Sequence, residues 1–291
     1  GATQTLIGGT SAGAGDIIAF GGQGGVFRTG IAVNGNATQT TTILGNSIRD
    51  NAGLGIDLGG DGVTANDAND ADIGPNGLLN TLVLTSASTD GSTLTVTGSY
   101  NGQAGTYYRV EVFANTAAEP SGTGEGRTYL GTVNMPLSGS SLTGSYTFGT
   151  AVAAGTYITA TVTRTDASYG TFYETSEFSN HVQAVAPNNP PSGSDGSISL
   201  AEDASHTFSL ADFGYSDPDG HAALRVWFDT LPASGQLLWN GIRFAAGNWV
   251  SAADIAAGLL VYVPPPDATA STSFTFRVQD DAGTAAGGSD I

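Results

Sequence analysis

The sequence predicts an all-β protein that contains the terminal coils of a parallel β-helix followed by two β-sandwiches. Glycine and threonine are abundant, with 43 Gly in 291 residues, and these residues favour turns and strands over helices. Lysine is absent and only six of the 26 acids are Glu, which further disfavours long helices. Apolar residues alternate with polar ones at period 2 in many short runs separated by turn residues, which is typical of strands.

Charge and composition exclude several classes of function. Eight bases, all of them Arg, face 26 acids, giving a net charge of −18, and a surface of this charge repels nucleic acids. No apolar run reaches the roughly 18 residues that a membrane span requires. Cysteine is absent, so disulfides, thiolate chemistry and zinc–sulfur sites are excluded. We expect an extracellular protein stabilised in some other way, and the Asp-rich composition suggests Ca²⁺.

Residues 1–80 contain an internal repeat typical of a coiled sheet. The segment 3–8 recurs at 38–45, and Gly15-Asp16-Ile17-Ile18 recurs as Gly45-Asn46-Ser47-Ile48. The offsets lie in the range of solenoid repeats, in which each unit must stack on neighbours to bury its apolar face. Because two repeats are too few for a stable solenoid, we expect the chain to enter a β-helix whose earlier coils are missing or supplied by another molecule.

Residues 81–186 are predicted to form an Ig-like sandwich, because about seven β-branched and aromatic runs alternate within roughly 100 residues. The predicted strands are 81–85, 92–100, 107–113, 128–133, 141–148, 157–163 and a closing strand near 177–182.

A Pro-rich linker over 187–193 separates this segment from a second predicted sandwich at 194–291. Its predicted strands are 197–200, 206–210, 224–228, 236–239, 259–263 and 273–278. Ser251 and Gly258 bound one predicted helical turn, because Ser is a good N-cap and Gly a good helix terminator.

Several strings resemble modules of bacterial surface adhesins. Residues 53–59 with the Asp-rich segment 61–76 resemble the closing coil of right-handed parallel β-helix proteins. Residues 119–131 with 175–179 are similar to the Ig-like domain that follows such a coil. Segments 201–203, 212–220, 251–258 and 274–281 resemble a cadherin-like repeat of giant secreted adhesins. Because such repeats usually continue beyond the position of Asp290, the resemblance implies a sandwich that lacks its last strand or takes it from elsewhere.

Acidic side chains are concentrated in a loop that follows the repeat. The candidate ligands there are Asp57, Asp61, Asp67, Asp70 and Asp72. Asp carboxylates separated by small residues in a Gly-rich loop supply the oxygen ligands that Ca²⁺ prefers. The spacing is not that of an EF-hand. The alternative is an Asx-turn loop whose side chains bind their own backbone.

Three acidic pairs form a second candidate cation site in the last segment. They are Glu202 with Asp203, Asp217 with Asp219, and Asp280 with Asp281. Loops at one pole of a sandwich lie together, and a divalent cation removes the repulsion between adjacent carboxylates. The alternative for Asp217-Pro218-Asp219-Gly220 is a simple type I turn.

Catalytic constellations are absent from the sequence. The three histidines lack the spacing of a metal triad, and no G-x-S-x-G, P-loop or H-E-x-x-H motif is present. Aromatic side chains suggest a carbohydrate-binding alternative, with Trp249 and the 169–173 loop as the exposed candidates and Trp227 and Trp239 assigned to the core. A third possibility is a polysaccharide-active β-helix enzyme using Asp50 or Asp57 beside Arg49.

The sequence therefore predicts a non-enzymatic structural or adhesive segment of a secreted bacterial surface or matrix protein, rigidified by Ca²⁺. Its expected partners are other copies of itself or the rest of a longer parent chain, and surface glycans in the alternative. Head-to-tail assembly into a filament by strand or coil complementation is compatible with the incomplete coil and the missing strand.

Overall fold

The computed structural model describes residues 4–22, 28–35, 40–284 and 289–291, and it shows an all-β chain. It divides into two compact units, Gly1–Ala186 and Pro187–Ile291. The residues 3, 38 and 39 of the sequence repeat lie outside the described part. No helix within the described ranges has the length and apolar character needed to cross a bilayer.

The first unit begins with three parallel strand pairs. The six strands are β1 (Gln4–Gly8), β2 (Ile17–Ala19), β3 (Ile31–Val33), β4 (Thr40–Leu44), β5 (Ser47–Arg49) and β6 (Ile56–Leu58). Strand β1 pairs with β4, β2 with β5, and β3 with β6. Ile17 is opposite Ser47 and Ile18 opposite Ile48, which are the positions that the sequence repeat aligns.

Asparagine side chains connect consecutive turns of this segment. Asn46 Oδ1 accepts from the Asp16 amide at 2.8 Å, and its Nδ2 donates to the Ile7 carbonyl at 3.0 Å. Asn51 Oδ1 likewise accepts from Gly21 N at 2.8 Å. Buried backbone N–H and C=O groups at strand corners need hydrogen-bond partners. The side-chain amides of Asn46 and Asn51 provide such partners where the short strands end.

The rest of the first unit is a single curved sheet whose two halves share one core. Its strands are β7 (Val83–Thr89), β8 (Leu94–Asn101), β9 (Thr106–Asn115), β10 (Thr128–Leu137), β11 (Ser141–Phe148), β12 (Tyr157–Thr165), β13 (Phe172–Thr175) and β14 (Val182–Val185). The order is β10-β9-β12-β14-β7-β8-β11, with β13 paired to β12. Leu94 and Val96 of one half and Val110 and Ile158 of the other lie in the same buried cluster.

The closing strand expected near 177–182 is replaced by strands β13 and β14 and an irregular segment between them. Ser176 Oγ accepts from Val162 N at 3.0 Å, and Ser179 Oγ accepts from Ala160 N at 2.9 Å. These hydroxyls take the place of ladder carbonyls, so the chain leaves the sheet here. Phe178 then packs into the cluster formed by the parallel strand pairs.

The second unit contains two small sheets around a phenylalanine-rich core. Its elements are β15 (His206–Thr207), β16 (Ala223–Phe228), β17 (Gln236–Trp239), β18 (Ile242–Arg243), β19 (Trp249–Ser251), α1 (Ala252–Ala256), β20 (Leu260–Val263) and β21 (Phe276–Asp280). The sheet orders are β15-β20-β17-β18 and β19-β16-β21. The buried side chains include Phe208, Phe213, Phe228 and Phe244.

In the second unit the structure confirms the predicted helical turn but not the predicted strand 197–200. The predicted helical turn is confirmed as α1, since Ser251 Oγ accepts from Asp254 N at 3.0 Å and Gly258 adopts φ +74°. The predicted strand 197–200 is wrong, because these residues are exposed and lie outside every strand. With no apolar side chain buried, nothing fixes this segment to a sheet.

Candidate metal centres

The loop between β6 and β7 holds three of the predicted carboxylates together. Ligand atoms of Asp67, Asp70 and Asp72 lie within 4.8 Å of one another. Asn80 positions the loop, because its Oδ1 accepts from Asp67 N at 2.9 Å while its Nδ2 donates to the Asp67 carbonyl at 2.9 Å. The backbone N–H of Asn80 also donates to Asp70 Oδ1 at 2.8 Å. We name this group the loop cluster.

Electrostatics within the loop cluster favour a positively charged ligand. Burial, with added repulsion from Asp72 and Asp67, raises the pKa of Asp70 to about 6. Burial and the charge of Asp67 also raise the pKa of Asp72, whose Oδ1 is buried without a hydrogen-bond partner among the described residues. A cation between the carboxylates would remove this repulsion.

Asp57 and Asp61, predicted with the loop cluster, are not part of that group. Asp57 is buried, and its Oδ1 accepts from Gly60 N at 3.1 Å and Gly62 N at 3.3 Å. This is the Asx-turn arrangement that the sequence left as the alternative. Asp61 is exposed on the same turn.

Two of the three acidic pairs in the second unit lie around one tyrosine. Ligand atoms of Asp217, Asp219 and His221 lie within 4.8 Å of one another. Burial, followed by the charges of Asp217, Asp280 and Asp281, raises the pKa of Tyr215 to about 12. Asp280 and Asp281 do not belong to that group of ligand atoms. We name the carboxylates around Tyr215 the pole cluster: Asp217, Asp219, Asp280 and Asp281.

Asp217 has one bonded and one unpartnered carboxylate oxygen in the region that the structure describes. Its side chain is 1% exposed, and Oδ1 accepts from Asp219 N and His221 N, both at 2.9 Å. Its Oδ2 is buried without a partner among the described residues. A buried carboxylate oxygen without a donor is costly, so the arrangement fits a cation at this oxygen.

The linker contributes polar groups to the pole cluster. Asp280 is fully buried, and its Oδ2 accepts from Asn188 Nδ2 at 2.9 Å. Asp219 Oδ2 accepts from Asn189 N at 2.6 Å. Asn188 Oδ1 is buried without a partner among the described residues. No Arg within the described ranges forms an ion pair with a carboxylate of this cluster.

Glu202 and Asp203, like Asp280 and Asp281, lie outside both groups of potential ligands. Glu202 is exposed. Asp203 Oδ1 accepts from Asp267 N at 3.1 Å. The Asp203 carboxylate therefore links the turn at 202–203 to the turn at 266–267.

Three buried glutamates have a structural role that the sequence did not predict, although Glu177, with Asp166 and Glu174, was a weaker candidate for a cation site near the linker. Glu111 accepts from Gly45 N at 2.8 Å, Glu125 from Asn51 N at 3.1 Å, and Glu177 from Leu58 N at 2.9 Å. Each thus holds a successive corner of the parallel strand pairs, and burial raises the pKa of all three. Glu111 lies between Val110 and Val112 in a strand buried on both faces, which was the available sequence signal.

The residues proposed for catalysis are engaged in structural contacts. Asp50 forms ion pairs with both Arg49 and Arg127. Asp57 is buried in its turn. Two of the histidines, which the sequence did not assign to a site, also form contacts: His206 pairs with Asp212 at 3.2 Å, and His181 packs against Tyr157.

Comparisons with known proteins give low similarity. No family model matches the chain, and no curated protein matches it. A solved structure described as "Biofilm associated protein - BSP domain" aligns at 21% identity with a TM-score of 0.24, covering 37% of this chain. This chain spans 14% of that structure's length. A second, "CBD12 from CALX1.2", aligns at 12% identity with a TM-score of 0.22, covering 70% of this chain and 83% of that one.

Proposed function

We propose that the chain is a non-catalytic structural or adhesive segment of a secreted bacterial surface or matrix protein. Its modules are the end of a β-helix over 1–80, an Ig-like sandwich over 81–186, a linker over 187–193 and a cadherin-like sandwich over 194–291. The three parallel strand pairs in register support the first module. The common core of the two half-sheets supports the second.

The proposed role of Ca²⁺ is to rigidify loops through the loop cluster and the pole cluster. The observation that carries this proposal is the buried, unpartnered Oδ2 of Asp217 beside other carboxylates. Hard carboxylate and amide oxygens, which form no ion pair with an Arg in the described part of the chain, match the preference of Ca²⁺. Asn188 Oδ1 is the matching amide oxygen in the linker.

Calorimetry with Ca²⁺ and with EDTA tests this role. We expect Ca²⁺ to raise the melting temperature, because a ligand that binds only the folded state stabilises it by mass action, by about 2.7 kcal/mol at a hundredfold excess over Kd. An unchanged melting temperature in EDTA would eliminate the calcium role. Mg²⁺ at the same concentration is the control, since it demands a tighter octahedral geometry.

The proposed partner at the coil edge is a second copy of the chain or the rest of a longer parent chain, either of which would extend the coil. In the described residues β1, β2 and β3 each pair on one edge, with β4, β5 and β6. Apolar side chains are exposed beside these edges, with Leu6 at 62%, Ile17 at 71% and Phe20 at 63%. Unpaired edges with exposed apolar residues favour strand addition.

Sedimentation velocity over a concentration series in Ca²⁺ tests the assembly. We expect the sedimentation coefficient to rise with concentration and Ile17→Asp to prevent the rise, because a charge on the exposed β2 opposes strand addition. Ile73→Asp is the matched control, since Ile73 is 82% exposed in the loop. Particles that stay monomeric at high concentration would count against the assembly.

A further inference from the structure

The outer face of sheet β19-β16-β21 carries two rows of paired side chains. In the first row Trp227 lies opposite Trp249 and Arg277. In the second row Arg225 lies opposite Ser251 and Gln279. The residues between the rows are buried in the core, at 0–4% exposure: Val226, Val250 and Val278. Because alternate strand residues point to opposite faces, the six side chains of the two rows form one surface, which we name the tryptophan face.

The aromatic part of this face is fixed and accessible. Trp249 is 41% exposed, in agreement with the prediction. The sequence places Trp227 and Trp239 in the core, and both predictions are wrong: Trp239 is 40% exposed, and the Trp227 ring lies on the outer side with its centroid 6.5 Å from that of Trp249. Trp227 Nε1 donates to Gln279 Oε1 at 3.1 Å, which fixes the orientation of its ring.

Arg225 supplies a positive charge that the rest of the described structure leaves unmatched. Its guanidinium lies 4.4 Å from the centroid of the Trp249 ring. Its Nε is buried with no acceptor in the described ranges, and no described carboxylate forms an ion pair with it. Arg277 on the same face, by contrast, binds Asp229 through both Nε and Nη2. The net charge of −18 opposes polyanions over the surface as a whole, and Asp290 Oδ2 accepts from Gln279 Nε2 at 2.7 Å on this face. The support for an external anion is therefore local: the unpaired, half-buried guanidinium of Arg225.

We propose that the tryptophan face binds a carboxylated pyranose unit of an acidic polysaccharide. Arg225 matches a carboxylate in geometry and charge, since its planar donors bind the two oxygens of that group. The exposed part of the Trp249 ring provides an apolar surface for the C–H face of the sugar. Ser251 Oγ already accepts from Asp254 N, and Gln279 bonds both Trp227 and Asp290, so the affinity is assigned to Arg225 and Trp249. This binding site is separate from the proposed calcium and assembly roles.

Isothermal titration of the full chain at constant Ca²⁺ tests the site. The probes are tetragalacturonate, tetramannuronate and a hyaluronan tetrasaccharide. We expect at least one to bind and to quench tryptophan fluorescence, and its methyl ester to bind at least about tenfold more weakly, because removing a charged partner costs at least a factor of ten. No binding by any of the three probes overturns the proposal, and equal binding of the ester overturns the carboxylate.

Variants locate the binding on this face. Arg225→Gln and Trp249→Ala should each weaken binding at least about tenfold, whereas Arg225→Lys should keep part of the affinity because the charge remains. Trp239→Phe is the matched control, since Trp239 is 40% exposed but lies on β17 of the other sheet. Affinity within twofold of wild type for Arg225→Gln, or an equal loss in the control, would overturn the assignment.

Discussion

The substitution Glu177→Gln tests how much the hydrogen bonds of a buried glutamate contribute to the stability of the first unit. The side chain is 2% exposed and accepts from Leu58 N at 2.9 Å, Thr64 N at 2.9 Å and Thr64 Oγ1 at 3.1 Å. In Glu177→Gln one oxygen keeps the bond to Leu58 while the new amide N–H₂ faces the Thr64 N–H. The variant therefore loses one hydrogen bond to a charged acceptor and places two donors against each other.

The expected loss follows from these contacts. A hydrogen bond to a charged group contributes about 1.5–3 kcal/mol. Burial raises the pKa of Glu177, so part of this gain already offsets desolvation of the carboxylate, which Gln avoids. We expect a net loss of about 1–2 kcal/mol. At about 2–4 °C per kcal/mol for a unit of this size, the melting temperature falls by roughly 2–8 °C.

The distribution of tryptophan makes the assay specific to each unit. All three Trp residues lie in the second unit, so tryptophan fluorescence follows that unit while calorimetry and circular dichroism follow both. Glu177→Gln should shift the transition of the first unit and leave the fluorescence transition unchanged. Glu202→Gln is the control, because Glu202 is exposed. A shift no larger than that of Glu202→Gln would refute the reasoning.

Three further outcomes are expected. Asn76→Ala should cost about 1–3 kcal/mol in urea denaturation, because Asn76 bonds both backbone groups of Thr41 at 2.7 Å; no loss would show that water replaces the amide. Burial raises the pKa of Glu111 above its ordinary 4.5, so the native state binds the proton more tightly and this carboxyl's contribution to stability falls as pH rises above about 4.5. The stability of Glu111→Gln relative to wild type should therefore rise from pH 4.5 to 7, and a constant difference would contradict this. Asp217→Asn should reduce the effect of EDTA on the tryptophan fluorescence transition, whereas exposed Asp195→Asn should not.

The acidic residues show how far sequence reasoning reached for the candidate sites. The Asp67–Asp72 segment could be identified because its carboxylates are close in the chain, and the structure brings three of them together. Convergence of Asp217 with Asp280 depended on two distant loops meeting, and the structure places both near Tyr215. The same reasoning grouped Asp57 with the loop cluster, where backbone amides of its own turn take up its oxygen.

Local pattern alone determined the all-β class, most strand positions, the turn capped by Ser251 and the positions of the acidic loops, because alternation, β-propensity and turn chemistry act over a few residues. Tertiary structure decided which residues distant in sequence are in contact and which face of each strand is buried. Ser176 and Ser179 replace ladder partners, and Glu177 is buried against Leu58, across 119 positions of sequence. Trp227 lies on the outer face although its neighbours are apolar, since Val226 and Phe228 take the inward positions. Which face is buried, and which distant groups meet, depends on contacts between elements, and these are specified by the packed chain as a whole.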